Sequence, residues 1–242
     1  MTRIFLDQPL GLDQTLTLPE AASRHLVQVL RLREGDAFIA FNGQGGEYGA
    51  VIHRIAKRDV QVRIGSFNAI NRESPLSLTL AQCVSKGDRM DYTLQKAVEL
   101  GVSEIVPLLS ERSVVKLDAE RWEKKMEHWR GVVISACEQS GRTRIPALHT
   151  PAPINAWLTQ DTGTTLKLTL APEASRSFHS IELAQRPVIL LVGPEGGLSD
   201  AEIQRAESKG FEAITLGPRI LRTETAGVAA LAAIQALWGD WH

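Results

Sequence analysis

The chain has 242 residues, of which 43% are hydrophobic and 23% charged, a composition typical of a globular protein with a real core. The formal net charge of −1 excludes a protein that attracts nucleic acid through a strong global field. Two isolated cysteines, six histidines without metal-ligand spacing, and no apolar run of the ~18 residues that cross a bilayer lead us to expect a cytoplasmic protein with no metal site and no membrane partner.

Residues 1–70 are predicted to form a small β-barrel domain with one helix. The helix pattern runs over 19–30, with Pro19 in the first turn, where a missing N–H costs nothing. Residues 1–72 contain nine Lys and Arg against seven Asp and Glu, so this part is mildly basic. Short apolar or alternating runs predict strands over 3–7, 16–18, 37–41, 48–55 and 60–64.

A polar, turn-rich stretch over 68–75 predicts a domain boundary, followed by a second domain over 74–242. The rhythm there changes to strands that alternate with helices, which predicts an α/β domain with a mainly parallel sheet. The expected strands cover 76–84, 104–109, 165–170, 188–192 and 213–216. The expected helices cover 88–100, 118–139, 199–209 and about 223–238.

The sharpest motif is the glycine-rich loop Gly193–Gly197, which follows a fully apolar strand and precedes a helix. Ser199 and Glu202 are spaced as a capping box, which would fix the start of that helix. Ligands of open α/β sheets bind at the carboxyl ends of strands, where glycines let the backbone approach them closely. The alternative is a tight turn without a ligand, but the stiff Pro194 and the carboxylate of Glu195 favour a binding site.

A second loop, Leu216–Ala226, has the same position between a strand and a helix. Two such loops can form two walls of one pocket, in which Ile220 and Leu221 would hold a flat ring. The alternative is a long structural connection with Arg219 and Arg222 in solvent.

Basic side chains cluster in three further places. Arg142 and Arg144 lie in a turn after a long helix, and Lys86 and Arg89 lie in a loop after a strand. Arginine suits bidentate phosphate contacts, although each cluster can equally be a solvated surface. The third cluster lies near the helix of the first domain and comprises Arg24, His25, Arg31 and Arg33.

The order of these motifs resembles the RsmE family of 16S ribosomal RNA (uracil-N3)-methyltransferases, which belongs to the SPOUT superfamily. No P-loop, dinucleotide-binding fingerprint or nucleophile elbow competes with this resemblance. After the small barrel, the matching motifs are Lys86–Asp91, Lys96–Gly101, Glu138–Arg142, Gly193–Gly197 and Leu216–Ala226.

The resemblance implies a fold that the strand pattern alone does not predict. That pattern predicts an unknotted, doubly wound sheet, whereas the family implies a deep trefoil knot in the second domain. The family also implies a PUA-like, RNA-binding first domain, a homodimer, and 16S rRNA of the small ribosomal subunit as the substrate.

The resemblance further implies S-adenosylmethionine as the cofactor. It assigns cofactor binding to the two loops and one strand end: Leu170, Gly193, Glu195, Gly196, Gly197, Leu216, Gly217, Ile220, Leu221, Thr223 and Ala226. We assign RNA binding to Arg3, Arg24, His25, Arg31, Arg33, Lys86 and Arg89. No side chain is an obvious general base, so our hypothesis is that Arg142, Arg144 or Arg222 stabilises the uracil anion that forms as N3 loses its proton.

Two other functions remain open at this point. One is a non-catalytic RNA-binding protein that retains a degenerate cofactor fold, although the intact loops argue against it. The other is an α/β enzyme that acts on a small metabolite and uses the barrel for oligomerisation. Binding of S-adenosylmethionine and the choice of methyl acceptor would distinguish these alternatives.

Overall fold

The computed structural model describes residues 1–57, 59–115, 117–182 and 186–241. The chain divides into two compact units. The first comprises Met1–Glu73 and Cys137–Ile145, and the second comprises Ser74–Ala136 and Pro146–His242. Among the described helices, none combines the length and the apolar character that a membrane span requires.

The first unit contains a five-stranded sheet in the order β1-β3-β4-β5-β2. Strands β1 and β3 are parallel, and the other neighbours are antiparallel. Alternate side chains of β3, β4 and β5 point into one buried cluster that includes Phe38, Ile52 and Val62. The strands are β1 (Arg3–Phe5), β2 (Thr15–Thr17), β3 (Ala37–Phe41), β4 (Glu47–Ile55) and β5 (Val60–Asn68).

The helix of this unit differs from the prediction of one continuous helix over 19–30. Helix α1 (Glu20–Arg24) continues as a π-helical turn over His25–Val29. The wider turn is consistent with burial of Leu26 in the core while Val29 stays exposed.

The second unit is built on a seven-stranded sheet in the order β12-β10-β11-β6-β7-β8, with β9 also paired to β7. All of these pairs are parallel, which confirms the predicted mainly parallel sheet. The strands are β6 (Leu78–Cys83), β7 (Glu104–Leu109), β8 (Ala147–Leu148), β9 (Ala152–Pro153), β10 (Leu166–Leu170), β11 (Val188–Val192) and β12 (Phe211–Ile214).

Among the described residues, five α-helices and a 3-10 helix (Phe178–Ser180) connect or follow these strands. Helix α2 stops where the prediction expects it, because Gly101 adopts a φ of +81° just beyond its end. The capping box that begins α5 is also confirmed. The helices are α2 (Asp88–Glu99), α3 (Ala119–Ser140), α4 (Ile154–Trp157), α5 (Asp200–Ser208) and α6 (Thr223–Trp238).

Two sequence-based expectations for this unit were incomplete. The strand expected over 213–216 lies two residues earlier, because Phe211 and Ile214 are the side chains that enter the core. The elements β8, β9 and α4 were not predicted, since two-residue strands and a single helical turn show no periodicity. The trefoil knot implied by the resemblance stays a prediction.

Candidate functional site

A cavity of about 440 Å³ lies at the carboxyl ends of β10, β11 and β12 in the second unit. Thr169, Val192 and Ile214 line it from the ends of these three strands. Parallel strands of open α/β sheets bind ligands at this edge. The loops that follow β11 and β12 form the rest of the lining, so the two glycine–proline loops share one pocket as the sequence predicts.

The first loop extends to Leu198, and its carboxyl-terminal half is held by two sets of hydrogen bonds. Ser199 Oγ accepts a hydrogen bond from Glu202 N (3.3 Å), and Glu202 Oε2 accepts one from Ser199 N (2.9 Å). The Arg112 guanidinium donates to the carbonyls of Gly196 (3.0 Å) and Leu198 (3.2 Å). These bonds leave the loop little freedom, so it presents a preformed wall to the cavity.

The path of this loop leaves little room for a side chain at Gly193. An added Cβ would lie 3.1 Å from the backbone nitrogen of Leu198 and 3.2 Å from its Cγ. A larger residue would therefore require Leu198 to move by a few tenths of an ångström.

The carboxylate of Glu195 anchors the same loop to a neighbouring one. Its Oε1 accepts hydrogen bonds from Lys86 N and from the Arg89 guanidinium, both at 3.0 Å. Burial by itself raises the pKa of this carboxyl, but the N–H groups of Lys86 and Glu195 and the Arg89 side chain together hold its pKa below the ordinary value. Glu195 is therefore ionised at neutral pH.

Residues 223–226 of the second motif belong to α6, so the second loop is Thr215–Arg222, and it forms the facing wall. Gly217 has a φ of +109°, a backbone conformation that favours glycine, and its carbonyl accepts a hydrogen bond from Thr215 Oγ1 (3.2 Å). Ile220 lines the cavity although it is 84% exposed. This large exposed apolar side chain is available to cover a bound ligand.

A short hydrogen bond joins the two loops at the start of α6. Thr223 Oγ1 donates to the carbonyl oxygen of Gly193 at 2.6 Å, and both residues line the cavity. Thr223 Oγ1 in turn accepts a hydrogen bond from Gln82 Nε2 on β6 at 3.1 Å.

Two polar atoms of cavity-lining residues are buried and have no hydrogen-bond partner among the described residues. They are Thr169 Oγ1 and Glu224 Oε2. The other oxygen of Glu224 lies 3.8 Å from the Arg89 Nε. Buried polar atoms are rarely left unpaired, so these two are places where a ligand or a water molecule can form a hydrogen bond.

Most residues predicted to bind the cofactor line this cavity, and Gly196 is the exception. Its carbonyl accepts from Arg112 instead. The predicted residues in the lining are Leu170, Gly193, Glu195, Gly197, Leu216, Gly217, Ile220, Leu221, Thr223 and Ala226.

The three arginines predicted to be catalytic have different surroundings. Arg222 is exposed and lines the cavity. Arg142 and Arg144 belong to the first unit and are not among the lining residues. The Arg142 side chain is buried against Glu73, whereas Arg144 is exposed.

The residues predicted to bind RNA also separate into two groups. Arg3 is engaged inside the first unit, where it pairs with Glu47, donates to the Gly141 carbonyl (3.1 Å) and lies over the Phe41 ring. The remaining members are at least partly accessible: Arg24, His25, Arg31 and Arg33 on the first unit, and Lys86 and Arg89 on the second.

Sequence reasoning missed three residues around the cavity: Gln82, Thr169 and Glu224. Gln82 is a polar residue in an otherwise apolar strand, which is a detectable signal for a buried polar role. Thr169 adjoins the predicted Leu170, and Glu224 stands inside the second motif, but no local pattern distinguishes them. Within the part of the chain that the structure describes, His, Cys, Asp and Glu form no group of three that could hold a metal ion.

Family models match both parts of the chain. A model described as an RNA methyltransferase domain matches residues 72–235, and one described as an RNA methyltransferase PUA domain matches residues 18–65.

Proteins named ribosomal RNA small subunit methyltransferase E are similar over the whole chain. The relative from Buchnera aphidicola (subspecies Schizaphis graminum) is 36% identical and the alignment covers 98% of this chain and 97% of that protein. The relative from Bacillus subtilis is 32% identical, with 97% and 96% covered.

Two similar solved structures contain a bound cofactor. A ribosomal RNA small subunit methyltransferase E from Neisseria gonorrhoeae, bound to S-adenosylmethionine, has a TM-score of 0.93 and 40% identity, with 100% of both chains covered. A Legionella pneumophila protein, solved in complex with the bound cofactor SAM, has a TM-score of 0.95 and 43% identity, with 99% of this chain and 98% of that one covered.

Proposed function

The chain belongs to the RsmE family of ribosomal RNA small subunit methyltransferases, and from that premise we propose that it transfers the methyl group of S-adenosylmethionine to N3 of a uridine in 16S rRNA. The observation that carries the proposal is that both family loops line one cavity at the carboxyl edge of the parallel sheet. We propose that residues 1–70 bind RNA and residues 74–242 carry the methyltransferase reaction. The two matching family models support this division.

The cavity residues fit the proposed cofactor. Leu170, Leu216 and Leu221 offer apolar walls for an adenine ring, while the unpaired Thr169 Oγ1 and Glu224 Oε2 can accept hydrogen bonds from its polar groups. The proposed binding residues are Leu170, Gly193, Glu195, Gly196, Gly197, Leu216, Gly217, Ile220, Leu221, Thr223 and Ala226. Gly196 would act through the shape of its loop, because its carbonyl is already bonded to Arg112.

When bound, S-adenosylmethionine supplies a methyl group on a positively charged sulfur. The contribution of the chain is therefore largely to position the acceptor. Uridine N3 carries a proton, which passes to solvent water before or while the N–C bond forms and leaves negative charge on the uracil ring. We assign stabilisation of the resulting negative charge on uracil to Arg222, because its permanently charged guanidinium is exposed and lines the cavity. The surroundings of Arg142 favour a structural role for that residue, and Arg144 remains a second candidate.

The accessible basic residues of the first unit support RNA binding there. Arg24, Arg31 and Arg33 are exposed, so their guanidinium groups can reach phosphate oxygens. Lys86 and Arg89 would contact the RNA near the cavity. Arg3 is a weaker candidate, since its charge is already paired with Glu47 inside the unit.

We also propose that the chain acts in the cytoplasm, where small ribosomal subunits reside, and that it acts as a homodimer. The homodimer is what the family resemblance implies, and the location is inferred from the proposed substrate. Light scattering coupled to size-exclusion chromatography measures the molar mass directly, and a monomer at micromolar concentration would contradict the dimer.

The decisive experiment is labelled methyl transfer to small ribosomal subunits purified from a strain that lacks this enzyme. We expect label in 16S rRNA and, after nucleoside mapping, in N3-methyluridine. Label in another nucleoside would contradict the proposed acceptor atom. Methylation of small metabolites but not of subunits, or no binding of S-adenosylmethionine in calorimetry, would favour one of the two alternative functions.

A further inference from the structure

A fully buried glutamine on the central strand β6 lies behind the cavity. Gln82 is 0% exposed and is paired in register with Val192, the last residue of β11 before the first loop. Gln82 is not among the cavity-lining residues, so it does not meet a ligand directly. Any effect on the cavity must be transmitted by the groups that it contacts.

The orientation of the Gln82 amide is determined by its hydrogen bonds. Its nitrogen donates to the Cys83 carbonyl (3.0 Å) and to Thr223 Oγ1 (3.1 Å), which uses both N–H groups. A flipped amide would place its oxygen against the Cys83 carbonyl, which is also an acceptor. The amide oxygen accepts no hydrogen bond from the described residues. A buried amide oxygen without a partner lowers the free energy of unfolding. An apolar residue at this position would therefore make the core more stable.

This amide also sets the direction of the Thr223 hydroxyl proton. A hydroxyl group has one proton to donate, and Thr223 Oγ1 already accepts from Gln82 on one side. Its proton is therefore directed to the Gly193 carbonyl, 2.6 Å away. Thr223 follows the second loop and Gly193 begins the first, so this one proton joins the two walls of the cavity.

Helix α6 packs closely against Gln82 at a glycine. A Cβ added to the buried Gly227 would lie 3.2 Å from Gln82 Oε1, which is closer than most such contacts. The absence of a side chain at this position lets the first turns of α6 lie against the amide. The start of the helix, the end of β6 and the first loop are thus held together at Gln82.

We propose that Gln82 is a positioning residue for the cofactor cavity. By directing the Thr223 hydroxyl to the Gly193 carbonyl, it holds the two loops at the separation that S-adenosylmethionine requires. The inference rests on the proposed function, since it assumes that this cofactor occupies the cavity.

The test compares binding of S-adenosylmethionine by calorimetry with thermal unfolding of the same variants. Gln82→Met keeps the volume but removes both N–H groups, and Thr223→Val keeps the shape but removes the hydroxyl. Each should weaken cofactor binding about tenfold, the effect of one buried hydrogen bond. The double variant should bind no more weakly than Thr223→Val alone, because Gln82 acts on the cavity only through the Thr223 hydroxyl. Thr223→Ser retains the hydroxyl and should recover most of the affinity that Thr223→Val loses.

Ser103→Ala is the matched control. The Ser103 hydroxyl bonds the backbone of Leu78 at the opposite end of the same strand, so its loss should lower stability without changing affinity. An equal loss of affinity in Ser103→Ala would attribute the effect to general stability and overturn the inference. Undiminished affinity in Thr223→Val, or multiplied losses in the double variant, would also overturn it. Failure of the wild-type protein to bind S-adenosylmethionine would instead contradict the proposed function.

Discussion

The Arg142 guanidinium is held by the carboxylate of Glu73 through hydrogen bonds of 2.6 and 2.8 Å to Oε2. The other oxygen of Glu73 accepts the backbone N–H groups of Thr143 (3.0 Å) and Arg144 (3.1 Å). The Glu73 side chain is only 13% exposed and the Arg142 side chain only 6%. A residue predicted as catalytic thus anchors the segment 137–145 inside the first unit.

This ion pair predicts a large effect on stability. Glu73→Ala should lower the free energy of unfolding by about 3 kcal/mol, because it removes a buried carboxylate that bonds the Arg142 guanidinium and two backbone N–H groups. Chemical denaturation measures this change. Glu20→Ala, which breaks the exposed Glu20–Arg24 pair, is the control and should cost about 0.5 kcal/mol or less. Equal stability of the two variants would show that the Glu73 pair contributes no more than an exposed ion pair.

The lowered pKa of Glu195 predicts a pH-dependent contribution to stability. A carboxyl whose pKa is lower in the folded state stabilises the fold above its unfolded pKa, near 4.5, and loses that effect as the pH falls through the folded value. Glu195→Gln should therefore be less stable than the wild type at pH 7, and the difference should close in acid. Urea denaturation between pH 7 and 3.5 tests this. A difference that is constant over this range would contradict the assigned ionisation.

The raised pKa of Glu138 predicts a pH dependence of stability that is opposite in sign to that of Glu195. Burial raises the pKa of its carboxyl, although the Phe5 N–H, His25 and Arg3 oppose the shift. The contribution of Glu138 to the free energy of unfolding is complete below its pKa in the unfolded chain. It is lost as the pH rises through its higher pKa in the folded protein. Glu138→Gln keeps an oxygen to accept from Phe5 N, so it should gain stability relative to the wild type between pH 4 and 7. A relative loss over that interval would refute the raised pKa.

The two cysteines should be unreactive in the folded protein. Burial raises the pKa of the Cys83 and Cys137 thiols to about 12 each. The thiolate is the nucleophile, so a disulfide reagent at pH 8 should label neither cysteine in the native protein and both in concentrated guanidinium. Rapid labelling of one thiol under native conditions would show that its surroundings open readily.

The role proposed for Arg222 predicts that its removal lowers the rate of methyl transfer but not the affinity for S-adenosylmethionine. Arg222→Ala should reduce kcat about a hundredfold while S-adenosylmethionine binding stays close to normal, because the proposed role concerns the charge on uracil. Arg205→Ala, on the exposed side of α5 and not among the lining residues, is the control for loss of a surface arginine. Unchanged turnover in Arg222→Ala would transfer the role to another group, with Arg144→Ala as the next variant to assay.

Local patterns predicted most of the elements that position the site. The strands over 37–41, 104–109 and 188–192 and the helix that begins at Thr223 have the expected bounds. Apolar periodicity and helix caps depend on residues a few positions apart, so they can be read without knowing the fold. The same holds for the two cavity loops, since each is recognisable from its glycines and its place between a strand and a helix.

Local patterns did not predict the hydrogen-bond and ion-pair partners of the polar side chains. The position of Arg142 in a predicted surface turn suggested that it binds phosphate. In the structure its guanidinium is instead paired with the carboxylate of Glu73, 69 positions earlier. Gln82 and Thr223 are 141 positions apart and meet only because β6 lies beside β11 and under the start of α6. Sequence by itself thus determined the order of the elements and the two loops, which arise from local periodicity and backbone geometry. The tertiary structure alone decided which charged and polar groups are paired and which face the cavity, because those hydrogen bonds depend on how distant segments pack.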